Sequence, residues 1–140
     1  MIKGTTLRFA DLDPTKLEAV VETMLLAAHA DGEFSVEERL ELARTVESIT
    51  QGQLPQGRFA ELVASIASAA DAPRTDRIAS IKTRLPDPAM RVGALALAVR
   101  VTASDGLIRT TERELIAELA EGLGVDVDVA ADMVAAATRK

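Results

Sequence analysis

The sequence contains the stretch Ala28–His29–Ala30–Asp31–Gly32–Glu33–Phe34–Ser35–Val36–Glu37–Glu38–Arg39 and repeats its pattern in Thr102–Ala103–Ser104–Asp105–Gly106–Leu107–Ile108–Arg109–Thr110–Thr111–Glu112–Arg113. Both copies contain Asp-Gly, five further residues and Glu-Arg. We call residues 28–39 the first Asp-Gly corner and residues 102–113 the second. An apolar helical pattern enters each corner and another leaves it, which predicts two related helix–corner–helix units.

The composition predicts an all-α protein with an aliphatic core. The chain has 140 residues, of which 48% are hydrophobic but only 2% aromatic, with no Trp, Tyr or Cys. This length suits one domain, which we assign to residues 1–140, with residues 1–12 as a lead-in segment. Sheets draw on aromatic and β-branched residues, so an Ala- and Leu-rich chain favours packed helices. The lack of cysteine excludes disulfides, thiolate metal sites and a Cys nucleophile, and fits a reducing compartment.

Charge and hydropathy indicate which kinds of binding partner and which cellular location to expect for this protein. Residues 1–9 lack the apolar region of a secretory signal, and the longest apolar run, near Val92–Val99, is too short to span a bilayer. We therefore expect a cytoplasmic protein without membrane insertion. The net charge of −6 argues against nucleic acid and anionic membranes as partners. A protein partner or self-association is the remaining expectation.

The charges are also unevenly distributed along the chain. Residues 11–62 hold eleven acidic and four basic residues, residues 74–113 hold eight basic and four acidic, and residues 114–140 hold six acidic and two basic. A cationic middle between anionic flanks is typical of helix faces that pair across a fold. A dedicated anion site is the alternative interpretation.

Helix start and stop signals predict seven helices. The starts are Asp13-Pro14, the capping box Ser35 to Glu38, Pro55, the residues after Pro73, Asp87-Pro88, the end of the second corner, and Asp126. The stops include Gly32, Gly52, Pro86 and Gly122–Leu123–Gly124. Helix 5 is apolar on nearly every side, which indicates a central helix, and helix 4 would connect the two halves.

This arrangement resembles the TerB-like family, which comprises tellurite resistance proteins and the amino-terminal domains of DjlA co-chaperones. The resemblance covers about Thr15 to Ala137 and depends on the two Ala-Asp-Gly or Ser-Asp-Gly corners, each followed by Glu-Arg and a Leu-rich helix. It implies a seven-helix bundle, a divalent-cation site built from corner acids, and a role in tellurite resistance and related stresses. The implied positions are Asp31, Gly32 and Glu38 in the first corner and Asp105, Gly106 and Glu112 in the second.

The acidic side chains of the corners are the candidate metal ligands. The set is Asp31, Glu33, Glu37, Glu38, Asp105 and Glu112. Carboxylate oxygens suit a hard cation such as Ca²⁺ or Mg²⁺, although the spacing is not that of an EF-hand. Leu107 and Arg109 stand where the first corner has Glu33 and Ser35, so the first corner is expected to dominate. The same residues also fit a purely structural role, since Asp31 can bond the turn, Gly32 can close helix 1 and Glu38 can complete a capping box.

No catalytic set is visible, so we expect a protein that is not an enzyme. His29 is the single histidine and lies at the predicted end of helix 1, where a helix dipole favours it. Ser104 beside Asp105 has no other histidine to act as its base, and no glycine loop suits a phosphate. The alternative function is a metal-free helical protein–protein interaction module that uses the acidic face or the basic region 74–113.

Overall fold

The computed structural model describes residues 14–29, 36–50, 52, 54, 56–68, 74–103, 108 and 110–138, with a few of these described for their backbone alone. Within them the chain forms seven α-helices and no strand. The helices are α1 (Pro14–Ala28), α2 (Val36–Thr50), α3 (Gln56–Ser68), α4 (Arg74–Arg84), α5 (Pro88–Thr102), α6 (Thr110–Leu123) and α7 (Val127–Thr138). The prediction of an all-α, seven-helix protein is confirmed.

Local sequence signals set the ends of several helices. Asp87 caps α5 by accepting a hydrogen bond from the Ala89 N–H at 2.9 Å, and Asp126 caps α7 by accepting one from the Asp128 N–H at 2.7 Å. Both carboxylates satisfy N–H groups that have no partner inside the helix. Asp13, Gly32, Ser35 and Pro55, which carry other predicted signals, lie outside the described residues.

The end of α6 shows why its glycine is needed. Gly124 has a positive φ of 74°, a conformation that glycine adopts without steric cost. The Val125 N–H then donates to the Ala120 carbonyl at 2.8 Å, and the Gly124 N–H donates to the Glu121 carbonyl at 3.2 Å. This is the Schellman arrangement, which satisfies the last carbonyls of a helix. The predicted stop at this glycine is confirmed.

Helices α1 and α5 form the centre of the bundle and make the most extensive helix–helix contact among the described residues. Helix α5 also contacts α6 and α7, as expected of a central helix. Helix α1, however, contacts each of α2, α3, α4, α5 and α6, and from residue 19 to residue 27 only Glu22 is not buried. Helix α1 therefore shares with α5 the central position that the sequence analysis assigned to helix 5.

The helix bounds repeat at the spacing of the two corners. Pro14 and Pro88 begin α1 and α5, and 14 differs from 88 by 74. Val36 and Thr110 begin α2 and α6, and 36 differs from 110 by the same 74. Asp31 and Asp105 are also 74 positions apart. The first two helices of each half therefore start at the same spacing along the sequence, and α4 lies between the two halves in the chain.

The core is aliphatic, as the composition predicts. Its fully buried members include Met24, Leu25, Ile81, Leu95 and Leu115, contributed by α1, α4, α5 and α6. Close packing of such side chains is the main source of stability in a helical bundle. None of the described helices is both long enough and apolar enough to cross a membrane.

Candidate metal centre and the charged helix faces

The six predicted ligands are described to different extents. Asp31, Glu33 and Asp105 lie outside the described residues, and Glu38 is described only for its backbone, in the first turn of α2. Glu37 and Glu112 are fully described. The predicted clustering of the six side chains therefore stays a prediction.

Glu37 and Glu112 each lie in the first turn of the helix that leaves a corner. Glu37 is the second residue of α2 and is exposed, and Glu112 is the third residue of α6 and is half-buried. Free N–H groups and the helix dipole favour a carboxylate at such positions. A carboxylate at such a position can stabilise its own helix or coordinate a cation next to the corner. The positions of Glu37 and Glu112 therefore agree with both the structural role and the metal-binding role.

The helices that enter the corners end in the same way. The His29 N–H donates to the Leu25 carbonyl at 3.0 Å, and the Ala103 N–H donates to the Val99 carbonyl at 3.0 Å. His29 and Ala103 are equivalent in the repeat, as are Leu25 and Val99. His29 extends the last turn of α1, where the sequence placed it, and its side chain is half-buried. Residues 29–35 and 103–109 then connect equivalent helix ends over equal chain lengths.

The donor chemistry of the corners fits a hard cation. Within the part of the chain that the structure describes, no group of three or more His, Cys, Asp or Glu side chains is placed to hold a metal ion. A metal centre at the corners would therefore include at least one of Asp31, Glu33, Glu38 and Asp105, whose side chains the structure does not describe. The acids there are carboxylates, and the chain has no thiolate to offer a softer metal.

An ion-pair network on α1 was not predicted. Arg58 of α3 binds Glu18 through two hydrogen bonds, from Nε to Oε2 at 2.9 Å and from Nη2 to Oε1 at 2.8 Å. Arg58 also donates from Nη1 to Glu61 Oε1 at 2.9 Å. These hydrogen bonds, the one to Glu18 first, raise the pKa of the Arg58 guanidinium above its ordinary value. A planar guanidinium that binds a carboxylate at two points fixes orientation as well as charge.

Arg84 of α4 makes the more buried pair of the network, with Glu22 on the next turn of α1. Its Nη1 and Nη2 donate to Glu22 Oε2 and Oε1 at 2.6 and 2.8 Å. The side chains are only 23% and 14% exposed. The hydrogen bond to Glu22 raises the pKa of Arg84, and burial opposes that rise. Two acids one turn apart on α1 thus hold α3 and α4 against it.

Other arginines of the basic region also bind groups of this chain. Arg77 donates to the Ser65 carbonyl at 2.9 Å, Arg91 donates to the Leu85 and Lys82 carbonyls at the end of α4, and Arg113 donates to the Ile108 carbonyl at 3.3 Å. Cations near the carbonyl end of a helix are electrostatically favoured. Pairing across the fold, one of the two interpretations of the charge pattern, is therefore confirmed for Arg84. The basic region 74–113 is a weaker candidate for a docking surface, because its Arg77 and Arg84 already bind within the fold.

The family model described as Tellurite resistance protein TerB matches residues 18–135. The match includes both corners and every helix at least in part. No curated protein and no solved structure matches the chain significantly.

Proposed function

Because the chain belongs to the TerB family of tellurite resistance proteins, we propose that it binds a divalent cation at its Asp-Gly corners as a non-enzymatic, cytoplasmic stress-response protein. Family membership supports the relation to tellurite resistance. Cation binding, the lack of enzymatic activity and the location go beyond the family match.

The observation that carries the cation proposal is the repeated setting of the corners. Each corner follows a helix that ends with the same hydrogen bond and precedes a helix that begins 74 positions from its counterpart. The helices that enter the corners, α1 and α5, pack against each other. This repeated setting supports the proposal that both corners contribute carboxylates to a cation site.

The residues that would hold the ion are mainly those of the first corner. Asp31, Glu33, Glu37 and Glu38 supply carboxylate oxygens there, and Asp105 and Glu112 supply fewer in the second. Ca²⁺ and Mg²⁺ bind such hard oxygen ligands, together with backbone carbonyls and water. The cation would offset the repulsion between neighbouring carboxylates and join two corners of the bundle.

Calorimetric titration of metal-stripped protein with Ca²⁺, Mg²⁺, Mn²⁺ and Zn²⁺ tests the proposal. We expect saturable heat with at least one hard cation, and its loss in the double variant Asp31→Asn, Asp105→Asn. Glu47→Gln is the matched control, because it removes one exposed carboxylate from α2 at a distance from the corner sequence and should bind as the wild type does. Absence of heat from all four ions, or equal binding by the double variant, would contradict the proposal.

A metal-free interaction module is the second candidate function. The arginine contacts described above count against the basic region as its docking surface, since four of those side chains bind within the chain. The acidic, partly apolar surface of α2 supports this candidate better. Unchanged melting on addition of cations would favour it over the cation proposal.

A further inference from the structure

Helix α2 carries an exposed apolar pair in its first two turns. Val36 is 65% exposed and Leu40 is 53% exposed. They are four residues apart, so they lie on the same side of the helix. We call Val36 and Leu40 the α2 apolar pair. Exposed large hydrophobic side chains that are neighbours on one surface are typical of an interaction site.

The fold itself does not require apolar residues at these positions. The equivalent residues of α6, which are 74 positions later, are Thr110 and Glu114, and both are exposed and polar. The two helices have the same register after their corners. The apolar pair is therefore a particular property of α2 and not a consequence of the repeated unit.

The charges beside the apolar pair are complementary to each other. Glu37 and Arg44 are exposed and are seven residues apart, which is two helical turns, so they lie on the same flank of α2. Arg44 also pairs with Glu41 at 3.2 Å, with both side chains about 70% exposed. An ion pair this exposed contributes little to the stability of the fold, so Arg44 can leave Glu41 and pair with an acid of another molecule.

From these features we propose that two copies of the chain associate weakly through antiparallel α2 helices centred on Leu40. In an antiparallel pair related by a twofold axis, equivalent flanks of the two helices face each other, and residues with a constant sum of numbers lie opposite. Centring on Leu40 places Leu40 against Leu40 of the second copy. Glu37 then lies within one residue's rise of Arg44 of the second copy, and the same pair forms again on the other side of the axis.

The size of the surface sets the strength of this association. Two exposed apolar side chains and two charge pairs cover much less than the roughly 800 Å² per partner that a standard stable interface buries. The dimer is therefore reversible and forms at high protein concentration. It does not involve a bound cation, so it stands or falls separately from the cation proposal.

Sedimentation velocity in a buffer with EDTA tests the dimer, at protein concentrations from about 20 µM to about 1 mM, where weak complexes form. Interference optics are needed because the chain has no Trp or Tyr. We expect the mean sedimentation coefficient of the wild type to rise with concentration and that of Leu40→Ser to stay at the monomer value. Val127→Ser is the matched control, since Val127 on α7 is 70% exposed and should leave association unchanged.

Charge reversal tests the antiparallel arrangement. Glu37→Arg alone and Arg44→Glu alone each place like charges opposite one another, and each should weaken association about tenfold or more. The double variant Glu37→Arg, Arg44→Glu restores opposite charges and should restore association. Circular dichroism checks that each variant is folded. A wild type that stays monomeric throughout, association that survives Leu40→Ser, or a double variant that stays as weak as the single variants would overturn the proposal.

Discussion

Helices α1 and α5 begin with prolines that are 74 positions apart and end with the same backbone hydrogen bond, yet their surroundings differ. Both bury residues at equivalent positions, such as Val21 with Leu95 and Leu25 with Val99. They differ on the side where α1 carries Glu18 and Glu22. That side of α1 receives α3 and α4 through arginines, whereas α5 has Val92 and Ala96 at the equivalent positions. Two similar helices thus acquire different numbers of neighbours through a few side chains on one face.

The largest change in the free energy of unfolding is expected when a residue of α1 is replaced by the residue that α5 has 74 positions later. Leu26 is 6% exposed on α1, and its equivalent on α5, Arg100, is exposed. Leu26→Arg should lower the free energy of unfolding by about 3 to 5 kcal/mol, because it buries a charge without a partner. Arg100→Leu should change it by less than about 0.5 kcal/mol. Urea denaturation followed by circular dichroism measures both, and similar effects of the two variants would mean that α1 is no more enclosed than α5.

A smaller loss is expected when the pair between α1 and α4 is broken. Arg84→Ala leaves the Glu22 carboxylate, which is 14% exposed, without its two hydrogen bonds. We expect the free energy of unfolding to fall by about 1 to 3 kcal/mol, less than for a fully buried pair. Arg44→Ala is the control, because it breaks a pair whose side chains are 72% and 70% exposed, and should cost less than about 0.5 kcal/mol. Equal losses in thermal denaturation would contradict a special role for the Arg84 pair.

The packing of α4 against α6 is a further difference between the two halves of the chain. A methyl group on Gly122 would overlap the buried side chain of Ile78, whereas the equivalent residue of α2, Ser48, is exposed. Gly122→Ala should therefore destabilise the protein by about 1 kcal/mol, since overpacking outweighs the gain in helix propensity. Gly57→Ala is the matched control, because nothing lies within 4 Å of its added carbon. A thermal melt in which both variants are stabilised would show that α4 has room to move away from α6.

Local signals made the helices of this chain predictable from sequence. Asp87, Asp126 and Gly124 act within two or three residues of themselves, so their effects can be inferred without knowing the fold. The enclosure of α1 was not predictable in this way. Its small and polar residues, such as Ala19 and Thr23, look neutral in the sequence and are buried only because other helices cover them.

The charged contacts show a second limit of sequence reasoning. Glu22 and Arg84 are 62 residues apart, and a pairing at that distance depends on how the helices pack. The uneven charge distribution indicated that such pairs exist without identifying them. For the candidate metal centre, the acids could be named from the repeated corner, but their mutual distances depend on residues 30–35 and 104–107, which lie outside the described residues.

Thermal denaturation with and without millimolar Ca²⁺, on the wild type and on Asp31→Asn and Asp105→Asn separately, tests most directly whether the two corners form a cation site. A ligand that binds only the folded state raises the melting temperature. We predict that Ca²⁺ raises it in the wild type, that Asp31→Asn abolishes the rise, and that Asp105→Asn reduces it less, because the first corner holds more acids. An unchanged melting temperature in the wild type, or the same rise in all three proteins, would contradict a cation site at the corners.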